Sequence, residues 1–243
     1  MDNLAEHIAS PVLLNLRFFS LNLSITFEIL SLFIAAFLAA FFFFWVINHF
    51  QLVPGRLQSL FEIVYEFLDN ECSALLGKER NTWLPFLLAL FSFILFANLL
   101  SMLPGFISPT SNINVTAALA LIIFFTYQAA GIKKQGLINY FKHLSPPDMP
   151  FPMLFFLVPL EIISQLARPF SLALRLFANL LAGHTLLLIT LSALVSIKIF
   201  YLWTLPIAGN VILRLFEIFV AFIQAFIFTY LSAMYIGEAV NES

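Results

Sequence analysis

The sequence predicts an all-α membrane protein with about five transmembrane helices, a surface amphipathic helix and a C-terminal hairpin of two long, strongly tilted helices. Of its 243 residues 62% are hydrophobic and only 10% are charged, whereas a soluble domain has about 25% charged residues. Mean hydropathy is +1.00. Because so few charges cannot cover a surface in water, we expect lipid to surround the chain.

Other classes of function find little support in the composition. The net charge is −2 and there is no basic tail, so we expect no nucleic acid partner. The single cysteine, Cys72, cannot form an internal disulfide and has no partner for a metal site. We therefore expect no cofactor and no metal ion.

The first span is predicted at 29–48, which contains no charged residue and has the length of about 20 residues that a crossing needs. Pro54 and Gly55 then interrupt the helical pattern. Residues 57–68 alternate at helical spacing and predict an amphipathic helix at the membrane surface. Its apolar residues are Leu60, Phe61, Val64 and Phe67, opposite Glu62 and Glu66.

Two further spans are predicted in the long uncharged stretch from 81 to 132. The stretch is too long for one crossing, and a cluster of Pro, Gly, Ser and Asn at 103–112 divides it. We place the spans at 84–103 and 114–132. A basic, polar stretch follows them at 133–150.

The C-terminal third predicts the long hairpin. A continuous helix over 159–197 would measure roughly 58 Å, against a hydrocarbon core of roughly 30 Å. It must therefore tilt, bend at Pro169 or lie partly in the membrane plane. We place the last two spans at 152–197 and 206–236, and we treat 1–243 as one integral-membrane domain.

The distribution of basic residues predicts an outside N-terminus and a cytoplasmic C-terminus. Five crossings in that orientation leave only Arg17 and Lys198 in outside loops. The inside loops hold Arg56, Lys78, Arg80, Lys133, Lys134 and Lys142.

Ionisable residues inside the apolar C-terminal third are the main functional signal, because each costs about 2.5–3.5 kcal/mol at a helix centre. They are Glu161, Arg168, Arg175, His184, Arg214 and Glu217. Glu161, Arg168 and Arg175 are seven residues apart and share one helix face, which Asn179 extends. Glu217 and Gln224 share a face of the last helix.

Structural interpretations compete with functional ones at most of these positions. Arg168 and Arg214 could reach the headgroups, and Glu161 could pair with Arg168. His184 and Glu217 could make hydrogen bonds inside the bundle. Hydrogen bonds between helices, a common role of polar residues in membrane proteins, could explain Ser171, Asn179 and Gln224. Arg175 is at least one turn from any other charge, and there we favour a functional role.

These residues resemble subunit a of F-type ATP synthases. The specific match is PLEIISQLARPFSLALRLFANLLAGH, from Pro159 to His184. Supporting matches are VPGRLQSLFEIVYEFL (Val53 to Leu68), PTSNINVT (Pro109 to Thr116) and EIFVAFIQAFIFTYLSAMY (Glu217 to Tyr235). Together they cover nearly the whole chain.

The resemblance implies that Arg175 is the essential stator arginine that faces a carboxylate of the rotor ring. Asn179 and Gln224 match polar residues that flank it, and Glu161 matches an acidic residue of the inner proton half-channel. Some relatives have an acidic residue at position 184 and a histidine at position 217, the reverse of His184 and Glu217 here. This exchange implies that the two side chains are in contact in the outer half-channel. We also place Ser171 on the proton path, but not Asn112, where some relatives have Asp.

The implied function is that of a stator subunit whose two offset half-channels couple proton flow to ATP synthesis. Its partners would be the ring of subunit c, the peripheral-stalk subunit b, the other ATP synthase subunits, protons and the lipid bilayer. No GxxxxGK[ST] motif occurs, so we expect other subunits to bind nucleotide. The membrane would be a bacterial inner membrane, or alternatively the mitochondrial one. Another interpretation is a secondary transporter with an intramembrane Arg/Glu/His site, although we find no internal repeat.

Overall fold

The structure is a computed structural model that describes most of the chain. The described residues are 12–14, 17–18, 21–22, 25–49, 51, 53–103, 109–136, 151–196 and 204–241. At some helical positions, among them His184, only the backbone is described.

Six α-helices account for most of the described residues. They are α1 (Phe27–Asn48), α2 (Arg56–Leu76), α3 (Arg80–Leu100), α4 (Ile113–Gln135), α5 (Phe151–Ser196) and α6 (Thr204–Asn241). Five helical segments are long and apolar enough to cross a membrane: Ile29–Val46, Arg56–Leu100, Ile113–Gln135, Phe155–Gly183 and Ala208–Asn241. The prediction of a helical, multi-pass membrane protein is therefore confirmed.

Four short strands precede α1, which we did not predict. β1 (Val12–Leu14) pairs antiparallel with β4 (Ile25–Thr26), and β2 (Arg17–Phe18) pairs antiparallel with β3 (Leu21–Asn22). Residues 21–26 do alternate apolar and polar types, the period of two that is typical of strands.

The chain divides into two compact units. Unit 1 comprises Met1–His49, Ser92–Asn112 and Phe177–Ala225, and unit 2 comprises Phe50–Phe91, Ile113–Leu176 and Phe226–Ser243. Helices α3, α5 and α6 each contribute one part to each unit. That the whole chain acts as one integral-membrane domain stays a prediction.

Helix α1, in unit 1, has one packed face and one exposed face. Ser31, Ala35 and Ala39 are buried at a spacing of four residues, and such small side chains let helices approach closely. The exposed face has phenylalanines at positions 33, 37, 41 and 44. This face suits contact with lipid.

Helix α2, in unit 2, is the predicted amphipathic helix, but it extends beyond residue 68. Leu68, Cys72 and Leu76 are buried at a spacing of four, so the apolar face continues past the polar residues at 69–71. The helix ends at Gly77, whose φ of 53° is a left-handed conformation that glycine adopts readily.

Helices α5 and α6 are 46 and 38 residues long, so both exceed one upright crossing. Helix α5 runs unbroken through Pro159 and Pro169. In unit 1 its Asn179 and Thr190 contact Gln224 and Asn210 of α6, respectively. Because residue numbers rise on one helix as they fall on the other, these two segments are antiparallel.

Candidate functional site

Arg175 lies on α5 in unit 2 with its side chain exposed. Among the described residues none makes a hydrogen bond or an ion pair with its guanidinium. The neighbouring side chains of Phe170 and Leu174 are apolar and also exposed. A permanent charge therefore lies on an apolar helix surface without a counter-charge from the described part of the chain.

Asn179 and Gln224 are brought together in unit 1. Asn179 Nδ2 donates a hydrogen bond of 2.6 Å to Gln224 Oε1, and Gln224 is only 2% exposed. The Nε2 group of Gln224 is buried without an acceptor among the described residues. This hydrogen bond joins α5 to α6, the two helices of the predicted hairpin. A role of the two residues in proton transfer stays a prediction.

A cavity of about 230 Å³ lies in unit 1 beside this pair. Glu217 and Asn179 line it together with Asn98 and Ser101 of the α3 side. Asn98 is buried and accepts a hydrogen bond of 3.0 Å from Thr110, while its Nδ2 group has no acceptor among the described residues. The cavity thus has a carboxylate and several amide and hydroxyl groups in its wall.

Gly183 lies against the Glu217 carboxyl group in the same unit. A Cβ atom added at Gly183 would be 3.0 Å from Glu217 Oε1, closer than ordinary van der Waals contact. Because Gly183 has no side chain, the carboxyl group of Glu217 can lie directly against α5.

The contact predicted between His184 and Glu217 lies outside the described residues, because the histidine side chain is not described. Its backbone is helical and directly follows Gly183. Ser171 is exposed on α5, and no described residue makes a hydrogen bond with it.

Arg214 makes contacts within unit 1. Its Nη1 donates a hydrogen bond of 2.7 Å to the carbonyl oxygen of Met102, and its Nε donates one of 3.2 Å to Asn210 Oδ1. Asn210 in turn donates to Thr190 at 3.3 Å. These bonds satisfy the guanidinium within the protein and tie α6 to the segment that follows α3.

Arg168 forms an ion pair with Glu238 in unit 2, and not with Glu161 as one interpretation of the sequence had it. The Nη1–Oε2 distance is 2.6 Å, and the guanidinium carbon lies 5.0 Å from the ring centroid of Tyr235. Sequence spacing relates residues on one helix, whereas Glu238 approaches from α6. We had not considered Glu238, although it is a charge within the last turns of an apolar helix.

Glu161 is half-buried in unit 2 and accepts a long hydrogen bond of 3.4 Å from Gln165 Nε2. Gln165 Oε1 accepts one of 2.9 Å from Gln128 of α4, and the Gln165 carbonyl accepts one from Tyr127. Gln165, four residues after Glu161, was a signal that we missed in the sequence.

Comparison with known proteins identifies the family. A family model described as ATP synthase A chain matches residues 29–237. The ATP synthase subunit a of Mesorhizobium japonicum (strain LMG 29417 / CECT 9101 / MAFF 303099) is 38% identical over 243 residues, which cover 98% of this chain and 95% of the relative. The ATP synthase subunit a of Rhodospirillum rubrum is 36% identical over 241 residues, 99% of each chain. The chain therefore belongs to the ATP synthase A chain family.

Proposed function

We propose that this chain is the stator subunit of the membrane sector of a rotary ATP synthase. In this role it conducts protons through two offset half-channels to and from a carboxylate on each subunit of a rotor ring. Family membership supports the role in ATP synthase. The observation that carries the finer proposal is the exposed guanidinium of Arg175 on an apolar helix, which has no ion-pair partner in the described part of the chain.

The charge of Arg175 explains how proton flow and rotation are coupled. A rotor carboxylate must be neutral to move through lipid and ionised to exchange its proton with water. A guanidinium, which keeps its charge at these pH values, favours the ionised carboxylate at the gap between the half-channels. It also repels protons there, so it prevents direct leakage from one half-channel to the other.

The cavity of unit 1 fits the outer half-channel. A carboxyl group at Glu217 can take up and release protons, and the buried donor of Asn98, which also lines the cavity, suits a hydrogen bond to water. His184, with an ordinary pKa near 6.5 for its residue type, is placed by the sequence beside Gly183. We propose that His184 and Glu217 relay protons, and that Asn179 and Gln224 flank the essential arginine.

Glu161 fits the inner half-channel. Its described hydrogen-bond partner is a neutral amide, so its carboxyl group remains available for proton exchange. The connected amides of Gln165 and Gln128 extend the polar region to α4. We assign Ser171 to the same proton path, since its exposed hydroxyl lies one turn before Arg175 on α5.

The partners follow from this function: a ring of subunit c, the peripheral-stalk subunit b and the remaining ATP synthase subunits. We propose an outside N-terminus and a cytoplasmic C-terminus in a bacterial inner membrane. We further propose that other subunits bind nucleotide, since the sequence contains no phosphate-binding loop motif.

Replacing Arg175 tests the proposal. In proteoliposomes with the complete ATP synthase, Arg175→Ala is expected to reduce ATP-driven proton pumping to background while the complex still assembles. Arg56→Ala is the matched control, because Arg56 is also exposed but lies at the start of α2. Coupled pumping by the Arg175→Ala complex at the control rate would overturn the proposed function.

A further inference from the structure

The ion pair between Arg168 and Glu238 has no role in the function proposed so far. Arg168 Nη1 lies 2.6 Å from Glu238 Oε2, and the two side chains are 27% and 39% exposed. Tyr235, which is buried, presents its ring to the same guanidinium at 5.0 Å. A carboxylate and an aromatic ring of α6 thus hold one cation of α5 within unit 2.

Without Glu238, the nearest acid for Arg168 along α5 is Glu161. The two residues are seven positions apart and share a helix face. Side chains on a helix lean toward its N-terminus, so an Arg168 side chain released from Glu238 would have Gln165 and Glu161 on the side of α5 toward which it leans. The arginine remains charged whatever its partner, and attraction between partly buried charges is stronger than in water.

Glu161 is also free of other cations among the described residues, since Gln165 is its described hydrogen-bond partner. Tyr127 donates a hydrogen bond to the carbonyl oxygen of Gln165, and the ring of Tyr235 packs against Arg168. An unpaired Arg168 would therefore meet a carboxylate with no competing counter-charge.

We propose that Glu238 is a positioning residue for proton transfer: by binding Arg168 it keeps that cation away from Glu161. A carboxylate bound to a guanidinium is stabilised in its ionised form, so a captured Glu161 would take up protons poorly. With a neutral amide as its described hydrogen-bond partner, Glu161 can both accept and release them. The inference rests on the proposed function, because it assumes that protons pass through Glu161.

Flux measurements on charge-altered complexes test this inference. Proton flux through the complete ATP synthase in proteoliposomes is measured per assembled complex, counted by the amount of complex protein in the vesicles. Glu238→Gln is expected to slow flux about fivefold, whereas Glu238→Asp retains the charge and most of the flux. Glu79→Gln is the control, because Glu79 forms an ion pair of the same length with Lys134.

Rescue separates positioning from a merely structural role. Combining Glu238→Gln with Arg168→Gln is expected to restore at least about half of the wild-type flux, since no cation remains to capture Glu161. Combining Glu238→Gln with Arg168→Lys is not expected to restore the flux, because a cation remains at position 168. Wild-type flux in Glu238→Gln, or failure of Arg168→Gln to rescue it, would overturn the inference. Arg175→Ala in the same assay tests the proposed function alone.

Discussion

Three arginines on the apolar C-terminal helices differ in what their guanidinium groups meet. Arg168 binds a carboxylate and Arg214 binds a backbone carbonyl and an amide, whereas Arg175 has no such partner among the described residues. Since an uncompensated charge in lipid is costly, we propose that Arg175 finds its counter-charge on another subunit. A rotor carboxylate would supply it.

Glu217 provides a direct test at the residue scale. Its carboxyl group is half-buried at the wall of the cavity, so Glu217→Gln keeps the shape of the side chain but removes proton exchange. We expect proton flux to fall by about tenfold or more, a conservative figure for the loss of a proton-transfer group. Proton flux in proteoliposomes with the complete complex is the measurement.

Glu71→Gln is the matched control, because Glu71 is exposed on α2. Equal flux in the Glu217→Gln and control complexes would remove Glu217 from the proton path.

The sequence set Arg175 apart from other charges, and the resemblance implied that Asn179 and Gln224 flank it, but neither indicated the pairing of Arg168 with Glu238. Helical spacing predicts which residues share a face of one helix, and this information was enough to distinguish Arg175 from the other charged residues. It does not state how two helices are rotated against each other. For that reason Glu238, on another helix, could not be chosen over Glu161 from the sequence.

At the scale of elements, helix lengths and their order could be predicted better than helix ends. The predicted ends of α1 and α4 are within three residues of the observed ones, although α4 continues through Lys133 and Lys134 to Gln135. Helix α2 continues for eight residues beyond its predicted end at 68, because its buried face persists where its exposed face becomes more polar. The strands before α1 have only two or three residues each, too few for an alternating pattern to stand out in the sequence.

The close approach of α5 and α6 at Gly183 gives a prediction at this scale. In Gly183→Ala the added methyl group would lie 3.0 Å from Glu217 Oε1, so the carboxyl group must move. We expect proton flux to fall about threefold, a loss below 1 kcal/mol that fits a small displacement, with normal assembly. Flux per assembled complex is the measurement.

Gly209→Ala is the matched control on α6, since a Cβ atom there meets nothing within 4 Å. If both alanine variants had wild-type flux, the position of the Glu217 carboxyl group would not depend on Gly183.

In the described parts of α5 and α6, polar groups cluster at a few places in each unit. Unit 1 holds the cavity with Glu217 and the Asn179–Gln224 pair. Unit 2 holds Glu161 with its amide partners, the Arg168–Glu238 pair and the exposed Arg175. Two half-channels would need two polar regions, and the proposed function assigns one half-channel to the polar groups of each unit.

A structure of the intact ATP synthase in lipid is the most direct test of the central claim, which concerns the partner of Arg175. We expect its guanidinium to lie beside a carboxylate of the rotor ring, between two water-filled inlets that open to opposite sides of the membrane. An Arg175 side chain that reached bulk water, or that pointed away from the ring, would contradict the account.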